Sequence, residues 1–431
     1  MLLGPQLKSL LSFARKFSRD AKGATAILFS FSTVVVVGSI AFGVDAANWY
    51  QTDRRLQTGA DLAAVAAASD QALAFEFEYP VRDLETIVRE ELERDGVKVA
   101  NLDALAVNSP PASGPFAGNT SAVEVIVSQD VDIFFAGMFV EDTPSAAARA
   151  VALASFEGNY CILTLDENQP GAVTFSGSSS SFLGCGIASN STDDQSVLAS
   201  GSSVVQTTIV TAVGGIDDSG NIQTPVHLQE YSNPISNPYE DVVAPPMAPC
   251  DYNNVRVSGT ETLQPGVYCG DLRINGDATF APGTYVLDGA DFIINAGATA
   301  FGDEVTFVFT DQPSLNNVGQ ARFNGTSTIN FTASDSGDYA GLLFIRDPDA
   351  PDVVGSHAGT WQINGNANSS FEGVFYVPRA ELELTGNALF NNGCIQIVSG
   401  AVTINGNFSV TQQCNDPNLR AIQTVGVTLV E

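Results

Sequence analysis

The chain has 431 residues, with 18 Lys and Arg against 48 Asp and Glu. Residues 1–22 hold five of the basic residues and one acidic residue, so the remainder carries a formal charge of −34. A surface this acidic repels nucleic-acid phosphates and anionic lipid, which argues against a nucleic-acid partner. The length beyond residue 45 is sufficient for more than one domain.

A charge-free run of 21 residues, 24–44, reads ATAILFSFSTVVVVGSIAFGV. A helix rises about 1.5 Å per residue, so this run matches a hydrocarbon core about 30 Å thick. We therefore predict a transmembrane helix at 24–44 that contacts the lipid bilayer, preceded by a basic cytoplasmic segment at 1–23. The alternative is a cleaved signal peptide, but both the polar lead and the apolar run are long for one.

The basic residues before the run predict its orientation, because Lys and Arg stay on the cytoplasmic side of a membrane. The amino terminus is therefore expected inside and the rest of the chain outside. The basic residues are Lys8, Arg15, Lys16, Arg19 and Lys22.

Residues 45–155 predict a helical extension followed by a small α+β module. The stretch QTGADLAAVAAA, 57–68, is rich in helix-forming alanine and carries the single charge Asp61. Pro80 and Gly96 bracket a second predicted helix. Alternating residues in SAVEVIVSQDVDIFFAGMF predict a strand or a hairpin, and SAAARAVAL predicts a further extended run.

Residues 156–431 are rich in Gly, Asn and Ser and contain a repeated motif, in which a β-branched or aromatic residue precedes Asn-Gly or a related pair. A period near 20 predicts a parallel β-solenoid, or β-helix, with one repeat per rung. A spacing of 29 predicts a rung with an insertion, and a spacing of 40 predicts two rungs. A β-sandwich is the alternative, because Asn-Gly also marks hairpins. The proline-rich segment 234–250 predicts a linker or a wrapping loop. The repeats are INGDATF (274–280), INAGATAF (294–301), FNGTSTINF (323–331), INGNANSSF (363–371), LTGNALF (384–390) and INGNFSV (404–410).

Six cysteines follow the apolar run, and an even number fits disulfides in an exported chain. Their local spacings of 24, 19 and 20 favour three sequential pairs, although six cysteines permit 15 connectivities and unpaired thiols are the alternative. The predicted pairs are Cys161–Cys185, Cys250–Cys269 and Cys394–Cys414.

The sequence contains no recognised catalytic motif, phosphate loop or dinucleotide fingerprint, so we predict no enzyme, no cofactor and no metal site. His227 and His357 lie in polar, loop-like sequence. The acidic pairs at 193–194 and 217–218 lie in turn-forming sequence and are better read as exposed turns than as Ca²⁺ ligands. An enzyme acting on polysaccharide is a weak alternative, since no spacing links arginines to carboxylates.

The segment FSRDAKGATAILFSF (17–31), together with GVDAANWYQTDRRLQTGADLAAVAAA (43–68), resembles the amino-terminal signature of TadE/TadG-like Tad (Flp) pilus-assembly proteins. Gly23, Asp45, Gln57 and Asp61 match the signature. Processed pilin-like members carry Glu five residues after the Gly, whereas this chain has Leu28, so the resemblance is to the unprocessed TadG type.

The resemblance implies a single-pass inner-membrane protein with a periplasmic or surface-reaching domain, which takes part in the assembly of adhesive pili with other pilus-assembly membrane proteins. We hypothesise that Asp45, Gln57 and Asp61 form a docking surface for such a partner. The alternatives are a surface adhesin or glycan-binding β-solenoid, with a glycan or other surface ligand as its partner, and an enzyme acting on polysaccharide.

Overall fold

The computed structural model describes residues 24–76, 82–138, 143–178, 180–223, 228–355, 359–365, 369–386, 389–390, 394–410 and 418–431. Two units can be distinguished. The first contains the described residues up to Ser155 together with Val425–Glu431, and the second contains Phe156–Thr424.

Helix α1 (Ala24–Glu76) is a single helix of 53 residues. It is long and apolar enough to cross a membrane. Large apolar side chains such as Phe29, Val34 and Phe42 are 72–74% exposed along its first part. The hydroxyl group of Thr33 donates to the carbonyl of Phe29 at 2.7 Å, so this polar side chain is satisfied within the helix. The predicted helical extension beyond residue 44 is thus continuous with the apolar run.

Helix α2 (Leu84–Arg94) begins after Asp83, whose carboxylate accepts hydrogen bonds from the backbone N–H and the hydroxyl of Thr86. It ends before Gly96, which has a φ of 82° and supplies the left-handed conformation expected of a helix stop. The sequence placed the start of this helix at Pro80, which lies outside the described residues. The capping carboxylate explains the start at residue 84.

The first unit also contains a four-stranded sheet in the order β1-β2-β3-β32. Strands β1 and β3 pair antiparallel with β2. The sequence assigned the whole of 156–431 to the β-rich region, whereas the last strand of the chain completes the sheet of the first unit. Strand β1 was not predicted either. The strands are β1 (Ala104–Asn108), β2 (Ala122–Asp130), β3 (Ser145–Glu157) and β32 (Thr424–Leu429), with 3-10 turns at Val99–Asn101 and Ala136–Met138.

The second unit is built from short strands. They are β4 (Tyr160–Thr164), β5 (Val173–Phe175), β6 (Ser180–Leu183), β7 (Gly186–Ser189), β8 (Val197–Ala199), β9 (Val204–Gln206), β10 (Val210–Ala212), β11 (Ile216–Asp217), β12 (Ile222–Gln223), β13 (Leu228–Gln229), β14 (Tyr252–Asn253), β15 (Arg256–Val257), β16 (Thr260–Leu263), β17 (Gly266–Cys269), β18 (Leu272–Ile274), β19 (Asp277–Phe280), β20 (Gly283–Asp288), β21 (Phe292–Ile294), β22 (Thr299–Gly302), β23 (Val305–Thr310), β24 (Ala321–Phe323), β25 (Thr328–Thr332), β26 (Leu342–Arg346), β27 (Trp361–Gly365), β28 (Ser370–Gly386), β29 (Leu389–Phe390), β30 (Ile395–Gly406) and β31 (Phe408–Val410).

From β14 to β25, each strand pairs in parallel with the strand three positions further along the chain, and β26 and β27 both pair in parallel with the long strand β28. One such row runs through β18, β21, β24 and β27, with Ile274, Ile294, Phe323 and Ile363 in register. The pairing of β24 with β27 corrects one expectation: the spacing of 40 residues is one repeat with inserted loops, not two repeats. An insertion lengthens the connection without changing which strands pair.

The strand order does not follow the chain. Strand β30 pairs in parallel with β4 and β5, with Ile397 opposite Ile162 and Val402 opposite Val173. Strands β4 to β13, although first in the chain, therefore continue the parallel stack beyond β30. The strands that begin at β14 lie at the opposite end.

Aromatic side chains dominate the interior of this unit. The Phe307 ring lies 5.0–5.3 Å, between ring centroids, from the rings of Phe280, Phe292, Phe331 and Phe344. Phe307 itself is fully buried. Buried aromatic side chains dominate the energetics of a protein core, so these rings stabilise the stacked strands.

The segment 234–250 packs along the outer side of these strands, which explains why several of them are apolar on both faces. The hydroxyl of Tyr239 lies 2.5 Å from the side-chain oxygen of Gln396, and Asn237 donates to the hydroxyl of Tyr376 at 2.9 Å. Ile235, Tyr239 and Val242 share a buried cluster with Leu163, Val308, Ile345, Val374, Tyr376 and Val398.

Disulfides join neighbouring strands of the stack. Cys161 is bonded to Cys185, and Cys250 to Cys269, each with a Cα–Cα distance of 5.7 Å. Cys394 is disulfide-bonded as well. The predicted partner of Cys394, Cys414, lies outside the described residues.

Candidate functional site in the first unit

The small-residue stretch of α1 packs within its own unit. Ala60, Ala63, Ala64 and Ala67 are fully buried against α2 and the sheet. At Gly59, an added Cβ would lie 3.0–3.1 Å from the side chains of Val97 and Leu92, so the small residues permit a close approach of the segment around α2. The alanine side of α1 is therefore covered by the chain itself, which accounts for its composition without a second protein.

Asp45 lies at the end of the predicted membrane-spanning segment and is 6% exposed. Its carboxylate accepts hydrogen bonds from three consecutive backbone N–H groups, those of Phe134 at 2.8 Å, Phe135 at 3.0 Å and Ala136 at 2.6 Å. The carboxylate thus caps the 3-10 turn that starts at Ala136.

Two further side chains of α1 bind the same loop and its flank. The amide of Asn48 donates to the carbonyl of Asp132 at 2.8 Å, and the indole N–H of Trp49 lies 3.4 Å from the carbonyl of Ser145. Together with Asp45, they fix the loop that follows β2 to one place on the helix.

Gln57 and Asp61 lie one turn apart on α1. The amide of Gln57 donates to the carboxylate of Asp61 at 2.7 Å and lies 3.2 Å from the carbonyl of Arg149 on β3. Asp45 lies 12 residues before Gln57, about 18 Å along a helix axis. The structure therefore does not bring the three predicted docking residues together, and their role in binding a partner stays a prediction.

A buried ion pair in the sheet was not anticipated. Glu124 on β2 is fully buried. Its carboxylate accepts hydrogen bonds from Nε of Arg149 at 2.7 Å, from the amide of Asn108 at 2.7 Å and from the backbone N–H of Ala112 at 3.1 Å. Arg149 also pairs with Glu431 and donates to the carbonyl of Ser113 at 2.9 Å.

Burial would raise the pKa of Glu124, but the backbone N–H of Ala112, the amide of Asn108 and the guanidinium of Arg149 outweigh it and hold the pKa below its ordinary value. All the polar contacts of Glu124 are internal, so its role is structural. The sequence signal was an acidic residue within the apolar stretch AVEVIV of β2 and a basic residue within the apolar stretch AAARAVAL of β3. The alternation of residues in β2 gave no indication that Glu124 is buried.

On the second unit, one outward row follows the parallel register through Arg256, Arg273, Ile293, Arg322 and Gln362. Beside it, an asparagine ladder joins successive repeats. The amide of Asn295 donates to Asn275 at 2.5 Å, and that of Asn324 lies 3.3 Å from the side-chain oxygen of Asn295. The repeated Asn-Gly motif thus ties adjacent strands together through its side chains.

Among the described residues, no three or more His, Cys, Asp or Glu side chains are grouped so as to hold a metal ion. The two histidines considered in the sequence, His227 and His357, lie outside the described residues. Arg273 and Arg322 of the outward row pair with Asp271 and Asp291.

The comparison with known families concerns α1. Residues 23–70 match the Tad family, described as Flp pilus-assembly TadE/G-like. The match confirms the resemblance seen in the sequence and includes Asp45, Gln57 and Asp61. It covers a small part of the chain, and the second unit lies outside it. No curated protein and no solved structure matches the chain.

Proposed function

We propose that this protein is a non-enzymatic structural component of a Tad (Flp) type pilus-assembly system. The match of residues 23–70 to the TadE/G-like family carries this proposal. The structure supports a structural role, because Asp45, Gln57 and Glu124 all make contacts that hold the first unit together.

The protein is a single-pass protein of the bacterial inner membrane in this proposal, with its amino terminus in the cytoplasm. The exposed apolar part of α1 supports a membrane span, and the basic residues before it support the orientation. Disulfides in the second unit support an oxidising location such as the periplasm. Other pilus-assembly membrane proteins are its expected partners.

The second unit is a parallel β-solenoid in this proposal. Three observations support that architecture over a β-sandwich: the parallel pairing at an offset of three strands from β14 to β25, the asparagine ladder and the aromatic interior. The proposed domain division is 1–23, 24–44, 45–155 and 156–431. Residues Val425–Glu431 are the exception, because they belong to the first unit.

Gene deletion tests the proposal. Surface pili are counted by microscopy in the wild type, in the deletion strain, and in the deletion strain complemented with the full chain. We expect pili to be lost on deletion and restored by the full chain. Unchanged pili in the deletion strain would refute the proposed role.

A shortened chain maps the role onto one unit. Ser155 and Gly426 lie side by side, with the Ser155 hydroxyl 3.5 Å from the carbonyl of Gly426, so a short Gly-Ser turn can join residue 155 to residue 425. This variant keeps all four strands of the first sheet. Pili restored by it would assign assembly to the first unit. Failure to restore them, with the variant present in the membrane, would assign a required part to the second unit.

A second candidate function is binding of a glycan by the second unit. The outward row favours it, because three of the six arginines between residues 156 and 431 lie in one register, and this region has no lysine. Glycan-array binding that is lost on Arg322→Ala would support this function. Binding unchanged by that substitution would exclude the row as the site.

A further inference from the structure

The loop between β2 and the 3-10 turn exposes two neighbouring aromatic side chains. Phe134 is 64% exposed and Phe135 is 44% exposed. Both follow Asp132, and the backbone of both is held by the carboxylate of Asp45. Two exposed phenylalanines on a loop fixed by five hydrogen-bonding contacts to one helix are unusual for a surface in water, because the fixed loop cannot turn them inward.

Phe135 lies beside the apolar part of α1. Asp45 is the first residue beyond the predicted span, and Phe135 lies on the side of Asp45 that faces the span. A single apolar groove contains Phe135 together with Phe29, Ser30, Thr33, Val34, Val37, Gly38 and Ala41, all of which belong to the span. A side chain at that level lies within the hydrocarbon region if the span crosses a bilayer.

The residues on the other side of Asp45 fit the membrane–water boundary. Trp49 is 43% exposed and Tyr50 is 57% exposed, about one turn beyond Asp45. Tryptophan and tyrosine concentrate at this boundary, with the ring in the headgroup region and the polar atom accessible. Asn48 holds the backbone of Asp132 at the same level, so the charged residue of the loop lies outside the apolar layer.

We propose that Phe134 and Phe135 insert into the outer leaflet of the bilayer and form a second membrane contact beside the helix. This inference rests on the proposed membrane anchor. We assign a lipid surface as the binding partner of these two rings, because the loop continues the apolar surface of the span. A helix alone can tilt in the bilayer and carry the attached sheet with it, whereas a second contact beside the helix restricts that tilt.

Site-directed spin labelling of the full chain in nanodiscs of phosphatidylethanolamine and phosphatidylglycerol tests this contact. The described residues contain no free cysteine, so a single introduced thiol can be labelled without reducing the disulfides. The test variant is Phe134→Cys, and Phe135→Cys replaces it if the first fails to give folded protein. The matched controls are Val36→Cys, which is 55% exposed on the span, and Glu90→Cys, on the exposed side of α2.

We expect the loop label to be more accessible to oxygen than to a water-soluble nickel chelate, as at position 36, and the label at position 90 to show the reverse. If the loop label has the accessibilities of the label at position 90, while the label at position 36 is more accessible to oxygen, the second contact is overturned and the proposed anchor stands. If the label at position 36 is also more accessible to the nickel chelate than to oxygen, the proposed anchor itself is refuted. A loop label shielded from both reagents, with dipolar broadening between copies in liposomes, would assign the surface to a second copy and overturn the proposal.

Discussion

Replacing Glu124 with Gln tests whether the buried ion pair holds the first sheet together. The carboxylate accepts hydrogen bonds from Arg149, Asn108 and the backbone of Ala112 at 2.7–3.1 Å, and from the hydroxyl of Ser113 at 3.5 Å. An amide has one accepting oxygen, so its NH2 group must face a donor on one side. A buried donor left unsatisfied costs about 1–3 kcal/mol, and more where the donor is charged. We therefore expect Glu124→Gln to destabilise the sheet by about 2–3 kcal/mol.

Hydrogen exchange followed by mass spectrometry measures this effect in the intact protein, because peptides from β2 and β3 report opening of the sheet. A loss of 2–3 kcal/mol corresponds to exchange about 30- to 150-fold faster, at about 1.4 kcal/mol per factor of ten. Peptides from the second unit serve as an internal reference.

The control for this prediction is Glu85→Gln, which also removes one carboxylate charge paired with arginine. Glu85 and Arg89 form an exposed pair one turn apart on α2, and such pairs contribute little. Protection of β2 and β3 that is the same in Glu124→Gln and Glu85→Gln would refute the structural role of the buried pair.

Four other predictions concern separate parts of the chain. Gly59→Leu should push α2 away from α1, since overpacking costs about 1–3 kcal/mol, and exchange of α2 peptides should rise; unchanged exchange would contradict the close approach. Asp45→Ala should release the backbone N–H groups of 134–136, so their exchange should rise while that of β2 is retained; protection that persists would show that the cap is dispensable. Phe307→Ala should cost the second unit about 3–5 kcal/mol, seen as earlier unfolding by fluorescence of the buried Trp361; an unchanged midpoint would contradict the shared aromatic core. Because the folded-state pKa of Glu124 is lowered, its contribution is present above the ordinary carboxyl range and lost as the pH falls through the folded-state value, so β2 and β3 should lose protection selectively below about pH 4; Glu124→Gln should remove this pH dependence.

The sequence predicts most reliably where local pattern determines the structure. The apolar run 24–44 and its alanine-rich continuation form one continuous helix. Helix α2 ends just before Gly96, as predicted. The repeated motif near Asn275, Asn295 and Asn324 follows strands that pair in parallel register, as its period indicated.

The features that the sequence missed depend on contacts between distant segments. The spacing of 40 residues was assigned two repeats because spacing alone does not distinguish an inserted loop from a strand. The buried position of Glu124 was not predicted, because its partner Arg149 lies on another strand and its donors Asn108 and Ala112 lie on a third strand and a loop. The cover of the alanine stretch by α2 and the sheet was not predicted either, because those elements are distant segments of the chain.

The strand order of the second unit also determines when this protein can finish folding. Strand β4 is synthesised early, but its neighbour on one side is β30, more than two hundred residues later. Until β30 arrives, one edge of β4 has backbone groups without their final partner, and an open strand edge is a site for wrong pairing. Strand β32 imposes the same delay on the first sheet. A chain interrupted before β30 therefore leaves both units incomplete, so the first strands of each unit depend on segments that are synthesised last.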